Sequence, residues 1–217
     1  MLIFWLKIVK SPMQGIILNI VRVKDEDLIV SLLTKKRLKT LYRFYGARHS
    51  QINLGYKIDF VAIHSPKSTL PMLREVLHLG FPWQFERDKV YIWQQFIKLL
   101  YRHLRDVEEL DEFYFNLLDE IILKLKKQNP KRVIIEAYLK LLEYEGRLHN
   151  DFNCFICDNF IEKDIVLKRS FLTAHKECLI GKVFEKELIK DLFETKSTLL
   201  LDNKQINTLW EILQEGL

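Results

Sequence analysis

The spacing of apolar residues changes once along the 217-residue chain, close to Pro66, and that change constrains the fold more than any other feature. Ahead of it lie short runs rich in β-branched and apolar residues. They are Gln14-Gly15-Ile16-Ile17-Leu18-Asn19-Ile20-Val21, Leu28-Ile29-Val30-Ser31-Leu32-Leu33, the stretch from Leu38 to Gly46, and another from Tyr56 to Ile63. Polar turns separate them, Lys24-Asp25-Glu26-Asp27 and Lys35-Lys36-Arg37 among them, so residues 14–63 are predicted to form a small barrel or sandwich. After Pro66 the period becomes helical. Leu70, Leu73, Val76 and Leu77 predict a helix that stops at Gly80. Ile92, Phe96, Leu99, Leu100 and Leu104 predict a second, and Phe113, Leu117, Leu118, Ile121, Ile122 and Leu125 a third, which Asn129-Pro130 breaks. Ile134, Ile135, Tyr138, Leu139, Leu141 and Leu142 predict a fourth ending at Gly146, and a last amphipathic helix is expected over residues 203–213. These stripes read as the core of a bundle rather than as a cofactor box. The expected class is α+β, with residues 1–65 forming one domain and residues 66–217 a helical one.

Charge divides the chain at nearly the same place. Residues 1–80 carry 13 Lys/Arg against 5 Asp/Glu, a net +8, whereas residues 81–217 carry 21 against 24, a net −3. A polyanion is the natural partner of such a basic half. The three cysteines are too few for a disulfide scaffold, which points to a reducing cytosol. The apolar run at residues 1–6 is too short for a bilayer, which needs ~20 residues, and it lacks the basic flank and cleavage site of a leader, so no membrane partner is expected. Residues 1–12 read as an accessory strand or an extension upstream of a start at Met13.

All three cysteines lie in one stretch, Cys154-x-x-Cys157, seventeen residues, then His175-x-x-Cys178. Two pairs of soft ligands at this spacing suit a closed tetrahedral zinc site. The expectation puts His175 and Cys178 on the first turn of a helix that Leu179, Val183 and Leu188 continue, with Lys168, Arg169 and Lys176 offsetting the site's negative charge. His149 is an alternative ligand. Four protein ligands leave no open position for a hydrolytic water. A nucleotide deaminase needs a His-x-Glu ahead of its Cys pair, whereas His175-Lys176-Glu177 follows it. No phosphate-binding glycine loop or GxSxG elbow is present, so an enzyme is not expected.

From Lys35 to Lys57 the sequence has no acidic residue. The stretch from Lys35 to Arg48 mixes cations with aromatics. On a strand of period two, Lys39, Leu41, Arg43 and Tyr45 share one face, suited to phosphates and a stacked base, while Thr40, Tyr42 and Phe44 would pack inward. The candidate DNA-binding residues are therefore Lys35, Lys36, Arg37, Lys39, Arg43, Tyr45 and Arg48. A solvated edge strand is the competing reading.

Several short motifs in order resemble the RecO family. Met13-Gln14-Gly15-Ile16-Ile17-Leu18 and Asp25-Glu26-Asp27-Leu28-Ile29-Val30-Ser31-Leu32-Leu33-Thr34 look like its opening, and Gly46-Ala47-Arg48 like its Gly-Ala-Arg. Phe115-Asn116-Leu117-Leu118 and Ala137-Tyr138-Leu139-Lys140-Leu141-Leu142, then Gly146 and Cys154-x-x-Cys157, are similar to its helical middle and zinc motif. The sequence departs from the commoner family pattern in having His175 as third ligand and Asp158 where Gly is usual. The resemblance implies an oligonucleotide-binding (OB-fold) barrel followed by a helical domain with a structural Zn²⁺ bound by Cys154, Cys157, His175 and Cys178. It implies a cytoplasmic, nucleoid-associated recombination mediator of DNA repair. Such a protein binds single- and double-stranded DNA, anneals strands and helps RecA load onto DNA coated by single-strand-binding protein, with RecR as a partner. A zinc-stabilised protein adaptor without DNA affinity is the alternative. Single-strand-binding protein would be met by the helical domain, with Lys124, Lys126, Lys127, Lys131 and Arg132 edging an apolar groove near Ile135 and Leu139; the competing reading is a helix C-terminus dressed with cations.

Overall fold

The computed structural model describes residues 13–24, 26–48, 50–64, 68–107 and 109–217; the expectation for residues 1–12 lies outside them. The chain divides into two units, one built on the N-terminal strands and taking in Leu104–Asn116, the other comprising Pro82–His103 and Leu117–Leu217.

In the first unit, β1 (Met13–Arg22), β2 (Leu28–Leu33), β3 (Leu38–Arg43), β4 (Lys57–Ile63) and β5 (Met72–His78) form a closed barrel in the order β1-β2-β3-β5-β4. β1 pairs antiparallel with β2 and with β4, as do β2 with β3 and β4 with β5, and β3 meets β5 in parallel at Tyr42 and Met72. Alternate residues point inward: Leu28, Val30 and Leu32 from β2, Leu41 from β3, Ile58, Phe60 and Ala62 from β4. Burying each of the Leu, Val, Ile and Phe side chains contributes about 1.5–3 kcal/mol.

The strand β5 replaces the helix expected over Leu70–Leu77, and the barrel consequently runs past residue 65. The reason is a bulge. Asp59 pairs with Leu77 and Val61 with Arg74, so Glu75 and Val76 together face the single residue Phe60. Glu75 takes a φ of 49°, and Leu73 and Val76, three apart, both pack on the core. A bulged strand thus imitates the i, i+3 spacing of a helix. A second bulge between Ile17 and Asn19 lets Ile16, Ile17 and Leu18 all be buried in β1.

The second unit holds helices at the predicted places. These are α1 (Arg87–Leu104), α2 (Glu112–Lys124, whose first turns belong to the barrel unit), α3 (Pro130–Tyr144) and α5 (Asn203–Gln214). Asn129 starts α3 as its N-cap, accepting from the Lys131 and Arg132 amides, and Pro130 occupies the first turn. Gly146, at φ 67°, ends it. Asp202 and Gln205 close a capping box on α5. Trp83 is fully buried, donates from its indole to the Ile122 carbonyl at 2.8 Å and meets Trp93 edge to face.

Between α3 and α5 the sequence predicts only ligands and a helix. The structure has a small sheet, ordered β7-β6-β8, from β6 (Asp164–Lys168), β7 (Leu172–Ala174) and β8 (Val183–Glu185), followed by α4 (Lys186–Thr195). Val183 therefore lies on a strand. His175 and Cys178 sit on an isolated turn in which the Cys178 and Leu179 amides both donate to the His175 carbonyl.

Candidate nucleic-acid interface and metal centre

The barrel sorts the candidate DNA-binding residues into two groups. Lys35, Lys36 and Arg37 form the exposed β2–β3 turn. Thr34 shapes that turn, since its amide and its hydroxyl both donate to the Arg37 carbonyl. Segment 104–116 holds it from outside: the Leu110 amide donates to the Lys36 carbonyl at 3.3 Å, and Lys35 lies 3.8 Å from Glu112. Lys35, Lys36, Arg37 and Lys39 line a trough of about 410 Å³ together with Met13, Gln14 and Thr34.

The other group sits at the far end of β3, and here the expected facing is reversed. Leu41 pairs with Val30 and is fully buried, so the face carrying Lys39, Leu41 and Arg43 is the inward one. Thr40 and Phe44 are exposed and Tyr42 is half-buried. Arg43 is not a free surface cation: it donates to the Leu73 carbonyl at 3.0 Å, and burial, with Arg74 nearby, lowers its pKa. Beyond Arg43 the chain leaves the strand. Tyr45 takes a φ of 52° and is 59 % exposed. Arg48 forms an ion pair with Glu26 and lies over the Tyr45 ring, 5.3 Å from its centroid. The absence of acids between positions 35 and 57 is thus a property of the sequence alone, because folding brings Glu26 and Asp27 against this end of the strand.

In the second unit, Cys154, Cys157, His175 and Cys178 come together, with their donor atoms all within 4.8 Å of one another. His149 is not part of this group. The first pair sits on a turn closed by the Asp158 amide donating to the Cys154 carbonyl at 2.8 Å and the Cys154 amide donating to Asn159. Asp158 adopts a φ of 59°, the conformation for which Gly is the easier residue. The Thr173 carbonyl accepts from the Phe155 amide, and the Thr173 hydroxyl donates to the Asn153 carbonyl, which ties this turn to β7. His175 presents Nδ1 to the Cys157 Sγ at 3.4 Å, and its Nε2 lies 3.2 Å from the Phe160 carbonyl. An Nε2–H bonded to that oxygen leaves Nδ1 as the donor for a metal, the usual supporting arrangement for a ligating imidazole.

The thiols are electrostatically distinct. Burial raises the Cys154 pKa, but the amides of His175, Ile156 and Cys157, with the His175 side chain, outweigh it and bring the thiol to about 6. Burial and the neighbouring thiols push Cys178 up to about 11, and contact with Cys154 raises the pKa of His175. Three thiols and one imidazole form a donor set for a soft or borderline divalent ion. Bonds of about 2.0–2.3 Å in a tetrahedron place donors nearly 4 Å apart, compatible with the observed grouping. The cations expected to offset the site are engaged elsewhere: Lys176 with Asp164, Lys168 with Glu215, and Arg169 with the Leu217 carbonyl.

Ile135 and Leu139, expected beside an apolar groove, are both fully buried within the unit. Of the cations meant to edge it, Lys124 pairs with Glu120 and Lys131 donates to Asn207. Arg132 donates to the carbonyls of Thr198 and Leu201.

A five-stranded closed barrel with a parallel β3–β5 contact, followed by helices and a Cys₃His cluster, defines the class: an oligonucleotide-binding-type barrel protein with a candidate metal-binding insertion. Residues 13–84 match the family model described as RecO N terminal. The match spans the barrel, which is similar to a RecO N-terminal domain. A comparison with curated proteins finds no match. No helix among the described residues is long and apolar enough to cross a membrane.

Proposed function

We propose that this chain is a non-enzymatic recombination mediator of DNA repair. In this reading the barrel binds single- and double-stranded DNA, and the protein anneals complementary strands and promotes RecA loading onto DNA coated by single-strand-binding protein, with RecR as partner. The observation that carries the proposal is the RecO N-terminal match lying on a barrel whose β2–β3 turn gathers Lys35, Lys36, Arg37 and Lys39 around one trough. Strands 2 and 3 with their loops are where such barrels receive oligonucleotides. Clustered cations at one end of the barrel are what phosphate neutralisation needs. Zn²⁺ is the ion proposed for Cys154, Cys157, His175 and Cys178. Its role is structural, because four protein donors close the coordination sphere.

The test is binding of the purified protein to single-stranded DNA, bare and already covered by single-strand-binding protein, over a range of salt. Four or five phosphate contacts on a single strand predict a log–log slope of about −3, at about −0.7 per contact. Absence of salt-dependent binding to either substrate would leave a zinc-stabilised adaptor as the better account.

A further inference from the structure

We propose that Asp27 is a positioning residue for nucleic-acid stacking, holding the segment after β3 so that Tyr45 stands outward as a platform for an unpaired base. The proposal rests on the DNA-binding reading of the barrel.

Asp27 lies in the β1–β2 turn, and the pairing of Leu28 with Arg43 brings that turn beside the chain leaving β3. Both carboxylate oxygens are used. Oδ2 accepts the Tyr42 hydroxyl at 2.5 Å, and Oδ1 accepts the Tyr45 backbone N–H at 2.7 Å. Tyr45 needs such a hold, because its φ of 52° is disfavoured for any residue with a Cβ. Glu26 reinforces the arrangement: its carbonyl accepts the Ala47 amide at 2.9 Å, and its carboxylate pairs with Arg48. Gly46 lies so close to β2 that a Cβ there would fall 2.7 Å from the Leu28 side chain.

The result is a fixed backbone presenting exposed rings. Tyr45 is 59 % and Phe44 45 % exposed, and the Phe44 ring is braced edge to face by Tyr42 at 4.9 Å. The barrel core does not use the Tyr45 ring. Holding it rigidly outward lowers the ordering cost when a base stacks on it, and aromatic stacking tolerates any base. The placement of the acid is informative. A surface serving only to attract phosphates would gain nothing from a carboxylate at its edge, whereas a carboxylate that orders a stacking platform offsets its own repulsion.

This gives the test an unusual sign. Asp27→Asn removes a negative charge next to a polyanion site, so charge alone predicts tighter binding. The positioning role predicts the reverse, because a neutral amide replaces two charge-assisted bonds with weaker ones, its oxygen serving the Tyr45 N–H and its NH2 able only to donate to the Tyr42 hydroxyl. The probe is a fluorescently labelled oligothymidine, with a duplex of mixed sequence as comparison, titrated against the full chain at several salt concentrations. Tyr45→Ala should weaken single-strand binding about 5- to 150-fold, the equivalent of one lost stacked base. Asp27→Asn should weaken it about 3- to 30-fold, a fraction of that loss. For both variants the salt slope and the duplex affinity should be unchanged. In the Tyr45→Ala background, Asp27→Asn should cause no further loss. Tyr42→Phe, which leaves the charge alone and removes one of the two contacts, should give a smaller loss of the same kind.

If Tyr45→Ala weakens binding while Asp27→Asn leaves it equal or tighter, Asp27 has no positioning role and the DNA-binding reading stands. Equal weakening of single-strand and duplex binding by Asp27→Asn would mark general disruption of the barrel, and would overturn the proposal. Should Asp27→Asn lose its circular dichroism signature of folding, Tyr42→Phe decides, and unchanged binding in that variant overturns the proposal. If the wild type binds neither probe, the DNA-binding reading falls and this one falls with it.

Discussion

The barrel and the cysteine-bearing sheet are both small β assemblies, yet they stay folded by different means. In the barrel every strand has two neighbours, and one cluster of buried residues, including Ile17, Val30, Leu41 and Phe60, fills the interior. The β7-β6-β8 sheet has strands of only three, five and three residues and does not close on itself. Sheets that short rarely persist on strand pairing alone. Here the chain adds four converging donors on two turns, one tied to β7. Closure of a hydrogen-bonded ring serves one region, and the other gathers three cysteines and His175 into a possible metal-binding site. The first leaves surface cations and aromatics at the barrel's exterior; the proposed Zn²⁺ would give the second its cross-link.

The largest effect expected from breaking this contrast is on the second region. Removing the metal with a chelator, or replacing Cys154 with Ser, should cost more than about 3 kcal/mol, since structural zinc sites can supply most of the folding free energy of small domains. Hydrogen exchange should show protection lost across residues 152–185 and kept in the barrel strands. Uniform loss throughout the chain would mean that the two regions do not differ as described. Elemental analysis of protein purified without chelator should find about one Zn²⁺ per chain.

The next effect belongs to the barrel surface. Reversing Lys35, Lys36 and Arg37 to Glu should weaken single-strand binding on the order of 100-fold at low salt and make the slope shallower by about 2, at about 0.7 per contact. The melting temperature should change little, because all three are exposed. Wild-type affinity and slope in this variant would move the DNA site away from the β2–β3 turn.

Arg43 sharpens the comparison by separating charge from structure within one strand. Arg43→Met removes the bond to the Leu73 carbonyl at the sparse parallel contact of β3 with β5. A loss of about 1–2 kcal/mol in stability is expected, with the salt slope of DNA binding unchanged. A slope shift equal to one full contact would instead return Arg43 to the binding surface.

The smallest effect is expected at His149, which is exposed and outside the donor group. His149→Ala should stay within about 0.5 kcal/mol of the wild type and keep the metal, whereas Cys178→Ser should lose stability measurably. The opposite ranking would exchange the ligands.

Much of this molecule was legible in order along the chain. The switch of period placed β1 to β4 and four of the helices, because burial against a single core imposes a period of two on strands and 3.6 on helices wherever the element is regular. The Cys154-x-x-Cys157 and His175-x-x-Cys178 pairs identified the donor group, because a three-residue step returns the chain to the same side of a turn. Irregular elements were misread. The bulge at Glu75 disguised β5 as a helix. The strands β6, β7 and β8 escaped notice because three to five residues are too few to show a period.

What the sequence by itself determined is local: where apolar residues repeat, where cations concentrate, and which side chains bind soft metals. Tertiary structure alone decided which face of β3 turns inward, since that depends on Leu41 finding Val30 across the strand pair. It alone set the acids Glu26 and Asp27 against Arg48, Tyr42 and Tyr45, 15 to 22 positions further along the chain. The physical reason is the same in both cases. Periodicity is carried by neighbours along one element, but facing and charge pairing are carried by register between elements, and a register is chosen only when the barrel closes.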